Sequence, residues 1–324
     1  MRLLHLEVSV ATAAKLTARA IAQRLGSRRP LFASFFVTSR CNLRCAGCCY
    51  YDQIDIAGEQ PDASTERCVN ILQDLAREGI PVVVLAGGEP TLRRDLPQLI
   101  AAGRAVGLGV GFITNAMHVT PEILDGADAD AQWVLFSPHV PEELTGGAGP
   151  AAWEEAWQGF ATMRRRLRRP FLGCAVTLSR LTIGRLDEII ARAVDGGADG
   201  VKFQPVFTPT LFPTPEQTAR ALRIIARWRR AVPDRVLAPA GFLDRLRHFY
   251  GPTPTVPCTV NRHFHVGVYP DGTVSACCPQ RIPLGNLLEG SVDYGRSLPV
   301  RTDCYGCQRL DILTSLRVCG GVTG

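Results

Sequence analysis

The chain is 324 residues long, 46% hydrophobic and 20% charged, with a formal net charge of +6. That length accommodates one large α/β domain with a smaller one beside it, and the composition excludes a disordered or low-complexity chain. No tract reaches the ~18 uninterrupted apolar residues of a membrane span, and so mild a basic excess calls for no nucleic-acid partner.

The first stretch, Val8 to Leu25, alternates apolar and basic residues at helical period. Lys15 and Arg19 interrupt it, which a secretory signal would not allow. Residues 1–30 therefore read as a helix docked on the main domain, with a membrane-surface helix as the lesser alternative. Twelve cysteines without a signal imply a reducing, cytoplasmic setting, where thiols bind metal or react.

From residue 31 onward, strand-like apolar runs are expected at 31–38, 81–86, 108–114, 132–137, 171–178 and 199–206. Helical patterns lie near 64–78, 94–106, 119–125, 151–169, 184–195 and 214–231. Strands alternating with helices build βαβ units and a parallel sheet. Six repeats over residues 31–235 suit a partial (βα)6 barrel, and an open doubly wound sheet fits the periodicity nearly as well. In both, chemistry belongs at the C-terminal ends of the strands. The helix at 151–169 carries Trp153, Trp157 and Phe160 at core spacing. Its basic tail, Arg164 to Arg169, reads as a solvated helix end, with a phosphate-binding patch as the alternative.

Directly after the first strand stands Cys41-Asn-Leu-Arg-Cys45-Ala-Gly-Cys48. Thiolates are soft ligands for iron–sulfur clusters or zinc. Cys49 is poorly aimed to complete the same face, and three thiolates leave one iron of a four-iron cube open to a small molecule. Zinc or structural thiols are the competing reading. After the second strand, Gly87-Gly88-Glu89-Pro90 offers a backbone that can approach a ligand and a carboxylate that can accept from an ammonium group. Taken alone it reads more simply as a glycine turn with an acidic helix start. Thr114-Asn115 ends the third strand and Ser137-Pro-His139 the fourth. Asn115 and Ser137 are candidates for cofactor contact or for strand-end capping, and His139 for a structural or a substrate-binding histidine.

Together these motifs resemble the signature of the radical S-adenosylmethionine (radical SAM) enzymes, including the wording Thr38-Ser-Arg-Cys-Asn-Leu-Arg-Cys45. The resemblance favours the TIM-like partial barrel. It implies a 4Fe–4S cluster on Cys41, Cys45 and Cys48, with S-adenosyl-L-methionine (SAM) on the open iron. Gly87, Gly88, Glu89, Pro90, Asn115 and Ser137 would surround SAM, and Glu89 would take its amino group. It also implies a 5′-deoxyadenosyl radical that removes hydrogen from a substrate, and an electron donor such as flavodoxin or ferredoxin. One position departs from the pattern: the family usually has an aromatic residue before the third cysteine, where this chain has Gly47. Tyr50 or Tyr51 would then cover the cluster.

Beyond residue 236 proline, glycine and cysteine become frequent, marking a small module (236–324) with too little apolar sequence for its own core. Val268 to Ala276 reads as strand–turn–strand around Pro270-Asp-Gly272. Cys258 and Cys277 with Cys304-Tyr-Gly-Cys307 could form a four-cysteine site for zinc or a 4Fe–4S cluster, which spacing does not decide. These cysteines, with Gly272 and Gly285-Asn-Leu287, resemble the SPASM/twitch extension of one radical SAM branch. That resemblance implies one auxiliary 4Fe–4S cluster on Cys258, Cys277, Cys304 and Cys307, with Cys278 or Cys319 as substitute ligands.

Cys174 in the fifth strand is by default a buried core thiol. Facing the barrel, it could instead give a hydrogen atom to a substrate radical, a role for which Cys278 and Cys319 compete. Cys68 on the first helix of the repeats reads as packing. The expected substrate is a small molecule: a carbohydrate-, aminocyclitol- or nucleoside-like natural-product intermediate, dehydrogenated or epimerised. Relatives with one auxiliary cluster act on such units, and only residues 1–30 precede the first strand, too few for a peptide-binding domain. The alternatives are maturation of a ribosomally made peptide and, in another class, a non-catalytic iron–sulfur carrier or redox sensor.

Overall fold

A computed structural model describes residues 2–3, 6–48, 62–144, 149–238, 241–250, 265–276 and 282–296. Two short antiparallel strands, β1 (Arg2–Leu3) and β2 (Leu6–Glu7), which the sequence pattern did not announce, precede helix α1 (Val10–Arg24). Ser9 caps α1, its side chain accepting from the Thr12 amide, a bond typically worth ~1 kcal/mol.

Six strand–helix repeats follow: β3 (Phe32–Thr38) and α2 (Thr65–Arg77), β4 (Val82–Gly87) and α3 (Leu96–Ala105), β5 (Gly109–Thr114) and α4 (Pro121–Asp130). Then come β6 (Trp133–Phe136) and α5 (Gly149–Arg166), β7 (Phe171–Leu178) and α6 (Leu186–Asp195), β8 (Gly200–Pro205) and α7 (Pro215–Ala231). Strands β3 to β8 are neighbours in chain order and all parallel, the arrangement of a partial barrel. The other doubly wound solution would change direction at a switch point, and no such reversal occurs among these six strands.

Side chains alternate between two faces of the sheet. One face, with Phe35, Val37, Leu85, Phe112, Val134 and Val176, packs under the helices against Ile71, Leu72 and Leu99. The other face turns inward. At its lower end Phe32, Val82, Trp133, Leu135 and Phe171 meet Val8, Ala13 and Leu16, so α1 plugs the N-terminal mouth of the barrel. Lys15 and Arg19 of α1 donate to the carbonyls of Gly107 and Gly79, and Gln132 donates to Thr12, all just before strands. Val10, Ile21 and Leu25 remain exposed on the far side of α1.

Higher up, the inner wall opens. Phe36, Val84, Ala86, Ile113, Thr177, Lys202 and Gln204 are all half-buried, while the helix-facing residues between them are mostly sealed. The lumen is therefore plugged below and accessible at the C-terminal ends of the strands.

The chain then continues the same sheet. Helix α8 (Phe242–Phe249) precedes β9 (His265–Val268), which pairs in parallel with the free edge of β3. The strands β10 (Thr273–Ser275), β11 (Pro283–Asn286) and β12 (Ser291–Val292) follow antiparallel. The expected turn is present: Gly272 has φ +89°, and its amide donates to Tyr269 O. Asn286 and Leu287 clasp that turn through Asp271 O and Gly272 O. Val266, Val268, Val274 and Leu284 join the main core, which accounts for a module too poor in apolar residues for a core of its own. Among the described residues no helix is long and apolar enough to cross a membrane.

Candidate active site

The cysteine loop is held to the end of β4 by backbone. The Gly88 amide donates to Thr38 O at 2.9 Å and the Glu89 amide to Arg40 O at 2.8 Å. A side chain at Gly88 would place its Cβ 2.1 Å from Arg40 O, and one at Gly87 2.4 Å from Thr38 O, where φ is also +142°. The two glycines thus admit the cysteine loop itself, a different partner from the ligand expected from the sequence. Arg40 and Thr38 are pinned from the other side by Asp62, through bonds of 2.6–3.0 Å. Pro90 opens a short buried turn, Pro90–Leu92.

All three thiols of the loop are half-buried at the barrel mouth. Burial first, then the negative charge of Glu89 and the other two cysteines, push the Cys41 thiol up to about 12, despite the Leu43 amide donating to its sulfur. Such a thiol is neutral until a metal displaces its proton. Among the described residues no three His, Cys, Asp or Glu side chains converge on a single-ion site. A four-iron cube takes each thiolate on a separate iron, and three thiols on one loop fit that use.

Cys45 forms a bridge with Leu144, and the Ala46 amide donates to Glu143 O at 2.7 Å. The turn to Cys48 runs through Gly47 in the left-handed region, φ +69°. A Cβ there would lie 2.4 Å from Leu211 Cδ1, so the segment after β8 fills the space beside it. Tyr269 at the end of β9 stacks on Phe36 at 5.1 Å and packs against Cys48. The aromatic cover of the third cysteine thus includes a residue far along the chain. Tyr50 and Tyr51 lie outside the described residues.

Glu89 is 2% exposed and receives four donors. Thr91 N, Thr91 Oγ1 and Thr114 Oγ1 donate to Oε1 at 3.1, 2.7 and 2.7 Å, and Asn115 N donates to Oε2 at 2.8 Å. Burial raises its pKa, and these bonds oppose the rise. Asn115 in turn donates from Nδ2 to Asn42 Oδ1 at 2.8 Å, tying the end of β5 to the cysteine loop. The next residue, Ala116, is the one non-glycine with positive φ (+64°) among the described residues, local strain of order 1–2 kcal/mol beside the site. Ser137 is half-buried at the end of β6, its amide donating to Thr114 O.

His139 follows the end of β6, with Nδ1 3.6 Å from Glu143 Oε2. Burial lowers its pKa, but the Cys45 charge and hydrogen bond, then those of Glu143, raise it well above the ordinary value. Glu143 is itself buried, and Ser179 Oγ donates to its Oε1 at 2.9 Å. Cys174 lies elsewhere. It sits fully buried on the helix-facing side of β7, its thiol pushed up by burial alone, and so does not face the lumen as a hydrogen donor must. Cys68 is packed in the same core. Cys258, Cys277, Cys278, Cys304, Cys307 and Cys319 lie outside the described residues.

Sequence reasoning did not single out Asn42, Asp62, Arg93, Glu143, Ser179 or Tyr269. Glu143 had a weak signal, an acid on the loop after the fourth strand. Arg93 had none: it is 3% exposed and holds Val37 O, Ala63 O and Asp95 together beneath the site.

A family model described as the radical SAM superfamily matches residues 35–202, just over half of the chain. The mycofactocin maturase MftC of Mycolicibacterium smegmatis is 27% identical over 67% of this chain and 56% of its own length. The PqqA peptide cyclase of Bradyrhizobium diazoefficiens is 29% identical over 64% of this chain and 57% of its own. The chain thus spans little more than half of these two curated relatives. Among solved structures, Streptococcus suis SuiB bound to the precursor peptide SuiA superposes with a TM-score of 0.62, at 12% identity, over 96% of this chain and 70% of that one. Native anSMEcpe with bound AdoMet gives 0.64 at 15% identity, over 82% of this chain and 80% of that one. At such identities the two structures establish the shared fold.

Proposed function

From the premise that the chain belongs to the radical SAM superfamily, we propose that it binds SAM at the cysteine loop and modifies a ribosomally made peptide held at the barrel mouth. Cys41, Cys45 and Cys48 would hold a 4Fe–4S cluster with one iron left for SAM. When bound, the cluster and SAM supply a 5′-deoxyadenosyl radical able to remove a hydrogen atom from carbon.

The chain's own residues bind and orient. Glu89 is fixed by four donors and turns its less occupied oxygen, Oε2, toward the loop that Asn115 and Asn42 share, which suits it to accept from the SAM ammonium group. Ser137 offers a hydroxyl at the neighbouring strand end. The half-open inner wall, with Lys202, Gln204 and Thr177 across from the cysteine loop, would take the reacting residue of the substrate, and the plug of α1 excludes water from below. Cys258, Cys277, Cys304 and Cys307 are proposed to hold a second, fully protein-ligated cluster.

The observation carrying this reading is the weld of the cysteine loop to Gly88, Glu89 and Asn115. A carrier or redox sensor has no use for it. The choice of a peptide over the carbohydrate-like intermediate expected from the sequence rests on the relatives, one named a peptide cyclase and one, of shared fold, solved with a precursor peptide. The stretch before β3 carries no weight against it, because those relatives extend beyond the matched region.

To test it, the reconstituted protein would be incubated anaerobically with SAM, dithionite and the short peptides encoded beside its gene, with mass spectrometry as the readout. Loss of hydrogen mass from one peptide, dependent on SAM, is expected. Turnover of sugars or aminocyclitols but of no peptide would overturn the substrate class.

A further inference from the structure

Strands β3 to β8 contain no Asp, Glu, Arg or His, and Lys202 of β8 is their only charged residue. Composition does not explain it, because of the chain's 36 Lys and Arg residues only Lys15 and Lys202 are lysines. On the inward face Lys202 lies in register with Ala175, a small neighbour, and Gln204 with Thr177. Below Lys202 the lumen is apolar. A Cβ at Gly200 would collide with Leu237 Cδ1, and Leu237 packs there with Trp133, Leu135 and Phe171. An ammonium gains nothing from such a floor, so it finds polar company toward the mouth. There Gln204 Nε2 donates to Thr177 Oγ1 at 3.0 Å, which holds both side chains and leaves the threonine proton and the second amide N–H to donate.

We propose that Lys202, with Thr177 and Gln204, forms a carboxylate-binding subsite in the barrel lumen, which selects substrate peptides that carry an acidic side chain. The ammonium, the threonine hydroxyl and the amide N–H are donors, and an ionised carboxylate is the side chain that only accepts. A basic substrate residue would meet like charge. An apolar one would displace water from the ammonium and offer it no acceptor. Lysine suits the place better than arginine, because its compact charge on a flexible stem meets one carboxylate without the width of a guanidinium fork. The inference rests on the proposed function in one respect, that the lumen receives the substrate.

The test is anaerobic acetylation of the reconstituted full chain with a trace of N-acetoxysuccinimide. Mass spectrometry reads Lys202 against Lys15, which lies on the plug helix and serves as internal reference. Labelling is followed without SAM, with SAM, and with SAM plus a capped Ala-Glu-Ala tripeptide or its neutral Ala-Gln-Ala isostere. The glutamyl peptide should lower the labelling of Lys202 about tenfold at roughly ten times its dissociation constant, and the glutaminyl peptide should not. Equal protection by both peptides, or by neither, overturns the proposal. So does full protection by SAM alone, which would give the ammonium to the SAM carboxylate. A Lys202 that stays unlabelled in the free enzyme overturns it too. Protection by the glutamyl peptide with no 5′-deoxyadenosine formed would uphold the subsite and bring down the proposed function, so the two fail separately.

Discussion

Glu89 has two tasks that pull on the same carboxylate. Its four bonds join the end of β4, the turn after it and the end of β5, and only Oε2 has capacity left for a ligand. Replacing it by alanine would remove both tasks at once, whereas Glu89→Gln keeps the shape and one carbonyl acceptor. Loss of a charge-assisted bond to an ammonium, worth about 1.5–3 kcal/mol, should weaken SAM binding by roughly 10- to 100-fold. Isothermal titration on the reconstituted variant, with iron content as control, checks this, and an iron content that falls too would contradict the assignment. Cys174 gives the opposite expectation. From the helix side of β7, Cys174→Ala should lower stability by about 1–2 kcal/mol in a denaturant melt and leave the product unchanged. At this scale the sequence was legible where a motif has fixed spacing, as in the cysteines and Gly87 to Pro90. It was not legible where a neighbour from another element decides: Leu211 beside Gly47, Asn42 under Asn115, or the parity that turns Cys174 outward.

Among elements, the strongest tie beneath the site is Arg93, which bonds the end of β3, the start of α2 and Asp95. Removing one partner of a buried pair strands the other, so Arg93→Met should cost about 3–5 kcal/mol and loosen the cysteine loop, measured as a lower unfolding midpoint with reduced iron. The same pair predicts a response to acid. Burial alone would raise the Asp95 carboxyl, but its hydrogen bonds with Arg93 and Thr65 hold it below the ordinary value. Its contribution is complete above the unfolded carboxylate pKa of ~3.9 and is lost as pH falls through the lower folded value. The slope of stability below pH ~4 should therefore flatten in Asp95→Asn, and an unchanged slope would show that other carboxylates govern it. The six strands and their helices were readable because each buries a full apolar face, giving long runs of clear period. The pair β1–β2 was not, since two-residue strands leave no periodic trace.

For the whole molecule, the sheet does not end with the barrel. Strand β9 lies on β3, the strand that delivers the cysteines, so the C-terminal segment carrying Tyr269 is built onto the same edge. Among the described residues beyond 236, Val266, Val268, Val274 and Leu284 pack into the barrel's core, and a shared core has no signature in one segment alone. If that segment holds a second four-iron cube, the reconstituted chain should carry about eight irons, falling to about four when Cys304 and Cys307 are replaced; zinc in place of the second cube would refute it. The claim on which all else depends is that the cysteine loop seats a cluster whose open iron takes SAM. The most direct measurement is 5′-deoxyadenosine formed anaerobically from SAM and dithionite by the reconstituted protein. Its formation, abolished by Cys45→Ala, is the predicted result, and none from a protein with intact clusters would contradict the account.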